Sequence, residues 1–153
     1  MATIRPVQVD DLTSLKEILH TIELFPAALL DDMIADYLHN PATEALWFTA
    51  LANNELVALG YCAPEQLTAG TYNLYAIGVR ADQQGRGVGK QMMNYLEDVL
   101  RRAGHRLLIV ETSNDEAQVP AVAFYQSLGY THEATLRDFW SEGEDKIIFW
   151  KKL

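Results

Sequence analysis

A strand, a glycine-rich turn, an amphipathic helix and a second strand follow one another between residues 71 and 112. The two strands, "TYNLYAIGV" and "RLLIVET", are nearly continuous apolar runs, which is typical of central strands covered on both faces. The helix between them is predicted over residues 87–103, with an inner stripe of Val88, Met92, Leu96, Val99 and Ala103. A helix that joins two strands in this way forms a crossover within one sheet. The segment therefore predicts the α/β class.

Further strands and helices extend the sheet on both sides of this crossover. The run "TIRPV" predicts a strand, and Asp10 or Asp11 can cap the helix that follows it to about residue 20. A second helix is predicted over residues 27–39, and "ALWFTALANNELVALGYCA" predicts two strands joined by a turn at Asn53 and Asn54. The run "VPAVAFYQSLGY" predicts a short helix, and the last two strands flank the turn "SEGED". The chain thus predicts a mixed sheet of about seven strands with about four helices.

Length, charge and hydropathy restrict the organisation of the chain. Its 153 residues contain no repeat, low-complexity tract or linker, so we expect one domain over residues 1–153. The formal net charge of −9 disfavours nucleic acid and anionic membrane as partners, because both attract basic surfaces. The start "MATIRPVQVDDL" is too polar for a signal peptide, and no apolar run approaches the about 20 residues of a membrane span. We therefore expect a cytoplasmic protein, for which a homodimer is an open alternative.

Gly85, Gly87 and Gly89 alternate at the point where the central helix begins, and this spacing predicts a phosphate-binding loop. The first backbone N–H groups of a helix have no intrahelical partner and carry the positive end of the helix dipole, so they attract anions. Glycine leaves room for a pyrophosphate to approach these groups, although each glycine inside a helix costs about 1 kcal/mol of helix propensity. The alternative is a flexible strand–helix turn, which does not require three alternate glycines.

Two common nucleotide-binding patterns fail on this loop. The P-loop pattern requires a glycine where Gln84 stands and a serine or threonine where Gln91 stands. The dinucleotide fingerprint fails at Lys90, which follows the glycines. Residues 84–89 instead match the pattern Gln/Arg-x-x-Gly-x-Gly/Ala between a strand and a helix.

Together with "LLIVETS" and "AVAFYQSLGY", this loop resembles the GNAT superfamily of acyl-CoA N-acyltransferases, and the resemblance extends from "TIRPV" to "IIFWKKL". In that family the strands before and after the central helix splay apart, and the pantetheine arm of the cofactor lies between them. The resemblance implies acetyl-CoA as the acyl donor, with its pantetheine bonded by Ile77, Gly78 and Val79. It also implies a pyrophosphate site made of Gln84, Gly85, Arg86, Gly87, Val88, Gly89 and Lys90.

Acyl transfer to an amine requires a neutral amine, a polarised thioester carbonyl and a proton for the departing thiolate. Tyr125 matches the tyrosine that commonly supplies this proton in the family, and the alternative is a packed aromatic side chain. The backbone N–H of Val79, or that of its neighbour on the strand, is the simplest donor to the carbonyl. Many members place a glutamate base where this chain has Asn73, so Glu111 at the end of "LLIVE" is the first base candidate. His132 and a chain of water molecules are the alternatives.

The resemblance also implies positions for further contacts with the cofactor and the acceptor. The family often has an asparagine ahead of the catalytic tyrosine, and Gln118 stands at this spacing, with Asn114 as the alternative. The acceptor site of the family is usually built by the first two helices and the last hairpin. The candidate acceptor residues in these segments are therefore Phe25, Asp138 and Trp140, and Asn73 on the strand before the glycine loop is a further candidate.

The sequence thus predicts an N-acetyltransferase that uses acetyl-CoA, requires no metal, and acetylates a primary amine of a small molecule or a protein in a ternary complex. A catalytically weak acyl-CoA sensor is the alternative, because Asn73 and Gln118 depart from the family pattern. An interaction domain without chemistry would leave the three alternate glycines unexplained.

Overall fold

The computed structural model describes residues 1–153, which form one seven-stranded sheet with helices on both faces. The strands are β1 (Thr3–Pro6), β2 (Leu46–Ala52), β3 (Glu55–Pro64), β4 (Thr71–Val79), β5 (Leu107–Ser113), β6 (Thr131–Ser141) and β7 (Glu144–Lys152). The α-helices are α1 (Leu12–Leu19), α2 (Leu30–His39), α3 (Val88–Arg102) and α4 (Val119–Ser127). Short 3-10 turns lead into the helices at Val9–Asp11, Ala27–Leu29, Ala81–Gln83 and Glu116–Gln118. These elements confirm the predicted α/β fold with a mixed sheet.

The strand order is β1-β2-β3-β4-β5-β7-β6, and only β4 and β5 run parallel. One core lies between the sheet and the helices α3 and α4, and it contains Val88, Met92, Leu96, Tyr125 and Phe149. The other core lies between the sheet and the helices α1 and α2, and it contains Leu15, Ile18, Leu30, Ile34 and Trp47. We call these two sides of the sheet the α3–α4 face and the α1–α2 face. The central strands of the sheet are therefore covered by helices on both faces, as their apolar sequences predict.

Backbone pairing between the central strands β4 and β5 ends halfway along β4. The last parallel pair joins Leu74 to Val110, after which β4 continues only along β3 and β5 only along β7. A β-bulge lies at the same point, where Tyr75 is an extra residue opposite β3. The strands therefore separate, and we call the space between residues 75–79 of β4 and 111–113 of β5 the splay gap.

Two local predictions are confirmed by backbone geometry. Asn53 and Asn54 adopt φ angles of 51° and 65° in the turn between β2 and β3. Gly104, with φ 85°, follows α3 and ends it. None of the four helices combines the length and the apolar character needed to cross a bilayer.

The buried face of α3 differs from the predicted stripe near the end of the helix. Val99 is partly exposed and Ala103 is exposed, whereas Leu100 is buried. Leu96 and Leu100 are four residues apart and lie on the same face of the helix. Val99 lies in the last turn of α3, and Ala103 follows its last residue, Arg102. The sequence stripe was wrong at these two positions.

The carboxylate of Asp11 ties β1 to the start of α1. It accepts hydrogen bonds from both terminal nitrogens of Arg5, at 2.7 and 2.9 Å, and from the backbone N–H of Gln8 at 2.8 Å. Asp11 thus acts as the third residue of a 3-10 turn, rather than as the first cap of a longer helix. The Arg5 guanidinium, together with the Gln8 N–H, holds the pKa of Asp11 below its usual range, against the opposing effect of burial.

We predict that Arg5→Gln lowers the free energy of unfolding by about 1–3 kcal/mol at pH 7, because a charged hydrogen-bonded pair is lost. The pKa of Asp11 is lowered in the folded state, so its contribution is present above its unfolded pKa of about 3.9 and is lost as pH falls through the folded pKa. Urea unfolding between pH 7 and pH 3 measures this, and the cost of Arg5→Gln should shrink below about pH 4. The control is Lys16→Gln at the exposed Lys16–Asp31 pair, and an equal cost at every pH would contradict the prediction.

Candidate functional site

The loop before α3 presents backbone donors that the helix itself does not use. The helical hydrogen bond from the N–H of Gln91 reaches the carbonyl of Gly87 at 3.1 Å. The N–H groups that precede it lie in the first turn, where no helical acceptor exists, and they belong to Val88, Gly89 and Lys90. This end of α3 therefore offers several N–H donors and a positive helix dipole to an anion.

Two glycines make this loop possible and leave it open. Gly85 and Gly87 have φ angles of 76° and 81°, a left-handed conformation that other residues rarely adopt. A Cβ atom built on either residue would meet no heavy atom within 4 Å. Gly89 differs, because its Cβ would lie 3.3 Å from the ring of Phe124 on α4. The first two glycines thus leave the loop open on its outer side, whereas Gly89 allows close packing of two helices.

Hydrogen-bond alternation determines which backbone groups of β4 face the splay gap. The N–H of Arg80 donates to the carbonyl of Val57 on β3 at 2.7 Å. In an antiparallel ladder every second residue points its backbone groups at the partner strand, so Gly78 also points toward β3. The backbone groups of Ile77 and Val79 consequently point into the gap. The carbonyl of Val79 accepts a hydrogen bond from the side chain of Gln84 at 3.0 Å, and its N–H points into the gap.

Gly78 has a different role from its neighbours, because it allows the segment that joins α1 to α2 to pack against the sheet. Its Cβ would fall 2.5 Å from Cδ1 of Ile22 and 3.0 Å from Cδ2 of Leu24. These residues belong to a segment that lines a cleft of about 640 Å³, together with Phe25 and Pro26. The structure therefore places the acceptor candidate Phe25 in the cleft of this connection, on the α1–α2 face of β4.

A polar cluster occupies the α1–α2 face where the strands separate. Asn73 is 2% exposed and donates its Nδ2 to Oε1 of Glu65 at 2.7 Å and to Oε1 of Glu111 at 3.3 Å. The hydroxyl of Tyr75 also donates to Glu65, at 3.4 Å. The Oδ1 atom of Asn73 is buried and has no hydrogen-bond partner. The cluster therefore holds two carboxylates and one unused carbonyl acceptor, a set that suits an N–H-rich ligand.

Glu111 is also bonded to a buried ammonium group. Its Oε2 lies 2.8 Å from Nζ of Lys146 on β7. The same Nζ lies 4.1 Å from the ring centre of Phe139 and 5.7 Å from that of Trp140, both of which belong to β6. Lys146 is only 9% exposed, so the ion pair and the aromatic rings enclose its charge. Sequence reasoning missed both Lys146 and Glu65, because neither stands in a motif.

The hairpin of β6 and β7 carries the two aromatic residues on an outward bend. Leu136 pairs with Lys146 and Ser141 pairs with Glu144, so four residues of β6 stand opposite a single residue of β7. Asp138, with φ 56°, accepts the N–H of Gly143 at 2.9 Å and thereby closes the bend. The Asp138 Oδ1 atom consequently has a structural partner within the hairpin.

Tyr125 lies on the opposite face of the sheet from Glu111. It is buried in the α3–α4 core, where its ring packs against Tyr130 and Phe149. Burial raises the pKa of the Tyr125 hydroxyl well above its usual value, and no hydrogen bond contributes to the shift. Tyr125 therefore stays protonated throughout the neutral range.

The other sequence candidates have partners within the chain. The side-chain oxygen of Asn114 accepts the N–H of Asp145 at 2.9 Å, whereas Oε1 of Gln118 is only 3.5 Å from the hydroxyl of Thr112. His132 bonds Thr135 and contacts a ring of the α3–α4 core, so the structure does not bring it to Glu111.

Comparison with known proteins gives a consistent result. Residues 10–130 match the model of the acetyltransferase (GNAT) family. The chain is 28% identical over 137 residues to the [ribosomal protein bS18]-alanine N-acetyltransferase of Escherichia coli (strain K12), covering 90% of this chain and 85% of that protein. A GNAT-family protein from Desulfovibrio desulfuricans has a TM-score of 0.91 at 26% identity, with 99% of both chains covered. An aminoglycoside 6'-N-acetyltransferase complexed with coenzyme A shares the fold, with a TM-score of 0.78 at 18% identity and coverage of 98% of this chain and 96% of that one.

We predict that coenzyme A raises the melting temperature and that Gly87→Glu abolishes the rise. Binding to the folded state adds about 2.7 kcal/mol at one hundred times the dissociation constant. A glutamate at residue 87 would place bulk and negative charge among the N–H donors. Gly104→Glu is the matched control, because Gly104 has a similar φ of 85° and equally open surroundings at the other end of α3. If both variants keep the rise, or both lose it, the loop is not the specific anion site.

Proposed function

The chain belongs to the GNAT acetyltransferase family, and we propose that it transfers the acetyl group of acetyl-CoA directly to a primary amine. One observation carries this proposal. The unpaired backbone groups of β4 lie between the N–H donors of the glycine loop and Glu111, which stands where β4 and β5 separate. An acyl donor with a diphosphate at one end and a thioester at the other matches this sequence of groups. Both substrates would be bound together, so that the amine attacks the thioester without an acyl-enzyme.

The chain's own backbone would hold the acyl donor. The N–H groups of residues 85–90 would bind the diphosphate, since the open glycine positions allow a close approach. Ile77 and Val79 would pair with the amides of the pantetheine, as a neighbouring strand would otherwise do. The N–H of Val79 would polarise the thioester carbonyl. Gln118 would add a side-chain amide contact.

Glu111 is the proposed general base. An alkyl ammonium has a pKa of about 10.4, so it must lose a proton before it can attack. Glu111 is the first residue of β5 beyond the last pair with β4, and its side chain lies on the α1–α2 face. The ammonium of an acceptor would compete there with Lys146 for the carboxylate. Asn73, through its two hydrogen bonds, would hold Glu111 and Glu65 in place.

Tyr125 is the proposed general acid, on the other side of the sheet. Its hydroxyl keeps its proton at neutral pH, because burial raises its pKa. A thiolate that leaves toward the α3–α4 face would find this proton, while the amine enters from the α1–α2 face. The acid and the base would therefore act from opposite faces without exchanging protons directly.

The acceptor is proposed to be a cationic amine. Two carboxylates, the half-exposed ring of Trp140 and the unused carbonyl of Asn73 favour an ammonium group. A relative at 28% identity is named for an alanine of a ribosomal protein, so a protein amino group is one candidate. A small-molecule amine is the other. Phe25 and Asp138 would contact the rest of the acceptor.

A catalytically weak acyl-CoA sensor is the second candidate function. The ion pair between Glu111 and Lys146 favours it, because Lys146 occupies the carboxylate that would otherwise contact the ammonium of an external acceptor. Release of free thiol from acetyl-CoA across a panel of amines separates the two candidates. Tight binding of acetyl-CoA with no transfer to any amine would favour the sensor.

We predict that Glu111→Gln changes the pH dependence of kcat/KM. If Glu111 is the base, wild type shows a limb that follows an enzyme group, and the variant loses or moves that limb. Two acceptors about two pKa units apart should be compared, since an enzyme limb does not move with the acceptor. The matched control is Glu97→Gln, which removes a similar pair with Lys151 on the other face. Superimposable profiles for wild type and Glu111→Gln that follow only the acceptor would make Glu111 a structural residue.

We predict that Tyr125→Phe lowers kcat by roughly a hundredfold while coenzyme A affinity stays nearly unchanged. The phenylalanine keeps the packing of the core but lacks the proton for the thiolate. Tyr130→Phe is the control, because Tyr130 is buried in the same core and bonds Glu97. A normal kcat in a folded Tyr125→Phe protein, checked by circular dichroism, would restore Tyr125 to a packing role.

A further inference from the structure

Lys146 satisfies the requirements that the proposed site places on an acceptor amine. We propose that its Nζ is an internal acceptor, acetylated by the chain's own active site from a bound acyl-CoA thioester. The inference rests on the proposed function, because it uses the same base, the same acid and the same donor. It adds a covalent modification site to the chain.

The contacts of Nζ place it directly beside a carboxylate that can accept its proton. It lies 2.8 Å from Oε2 of Glu111, so a proton can pass directly from the ammonium to the carboxylate. The rings of Phe139 and Trp140 cover it at 4.1 and 5.7 Å from their centres. This enclosure leaves Lys146 only 9% exposed and holds its Nζ beside the carboxylate that would take its proton. The base and the nucleophile are thus already in contact before any external amine binds.

The position of this pair relative to the splay gap completes the geometry. Parallel pairing ends at Leu74 and Val110, so Glu111 is the first residue of β5 to flank the opening. The backbone groups of Val79 and Ile77 that face the gap lie on β4 between the glycine loop and the end of this pairing. The thioester of a donor bound along β4 would therefore lie beside Glu111. The side chain of Glu111 is the one that contacts Lys146.

Glu111, Tyr125 and solvent account for every proton in the transfer. Glu111 takes one proton from the Lys146 ammonium, and Nζ forms a bond to the acyl carbon while the carbon–sulfur bond breaks. Tyr125 gives its proton to the departing sulfur. The second proton of the amine restores Tyr125, and Glu111 later releases its proton to solvent. The products are an amide on Lys146, a free thiol and one proton.

Acetylation would also change the site in a defined way. An amide nitrogen carries no positive charge, so the ion pair with Glu111 would be lost. In the modified chain, the carboxylate of Glu111 would then be available to the ammonium of an external acceptor.

Lys151 on the same strand provides an internal control. It pairs with Glu97 at 2.8 Å and lies 5.2 Å from the ring centre of Tyr130, so its surroundings resemble those of Lys146. It lies on the α3–α4 face, away from Glu111. Its side chain is 26% exposed against 11% for Lys146, so acetylation by free acetyl-CoA in solution should favour Lys151.

The test is to incubate the purified protein with isotopically labelled acetyl-CoA and to measure label at each lysine by peptide mass spectrometry. The isotope separates new acetyl groups from those added during expression. We expect label on Lys146 ahead of Lys151, at a rate that does not depend on protein concentration. Labelling should fall roughly a hundredfold in Tyr125→Phe, and it should be lost in Gly87→Glu and in Lys146→Arg.

Each outcome decides the proposal. Lys146 without label, while external amines are acetylated, overturns this inference and leaves the proposed function standing. Absence of transfer to Lys146 and to every external amine, with no coenzyme A binding, overturns both. Equal labelling of Lys146 in wild type and Gly87→Glu shows reaction with free acetyl-CoA, and this also overturns the inference.

Discussion

The separation of β4 from β5 after Leu74 and Val110 is the constraint on which the site depends. Central parallel strands are normally paired along their length, because unpaired N–H and C=O groups inside a protein are costly. Here Ile77 and Val79 keep such groups facing the gap. A ligand with amide groups can pair with them, which is why we propose that the gap binds the pantetheine arm of the acyl donor.

Several local features hold this gap open. The extra residue Tyr75 changes the course of β4 at the last pair, and β5 is held along its whole length by β7. On the α1–α2 face, the absence of a side chain at Gly78 admits Ile22 against the strand. On the other face, Gly89 admits Phe124 of α4. The gap is therefore flanked by packed residues on both faces.

Much of the fold could be predicted because its signals are local. Two apolar strands around a glycine-headed helix predicted the crossover, and Asn53 and Asn54 predicted their turn. The glycine loop was recognisable because only glycine adopts the left-handed φ of Gly85 and Gly87 without strain. The stripe of α3 went wrong at Val99 because the exact face depends on how the helix rests on the sheet.

The polar cluster could not be predicted in the same way, because its members meet through sheet register. Glu65 directly follows β3, Glu111 lies on β5 and Lys146 on β7, so these residues are far apart in sequence. Each looks like an ordinary surface charge when only its neighbours along the chain are considered. Their contact depends on strand order and on the bend of β6, which brings Phe139 over Lys146.

Amide hydrogen exchange with and without coenzyme A, measured residue by residue by NMR, tests the central claim most directly. The claim is that the ligand pairs with backbone groups left unpaired by the splay. We expect slower exchange on binding at the N–H groups of Ile77 and Val79 and of residues 88–90. The N–H of Gly78 should exchange slowly in both states, because it already pairs with β3. Unchanged exchange at Ile77 and Val79 in a saturated complex would contradict the account.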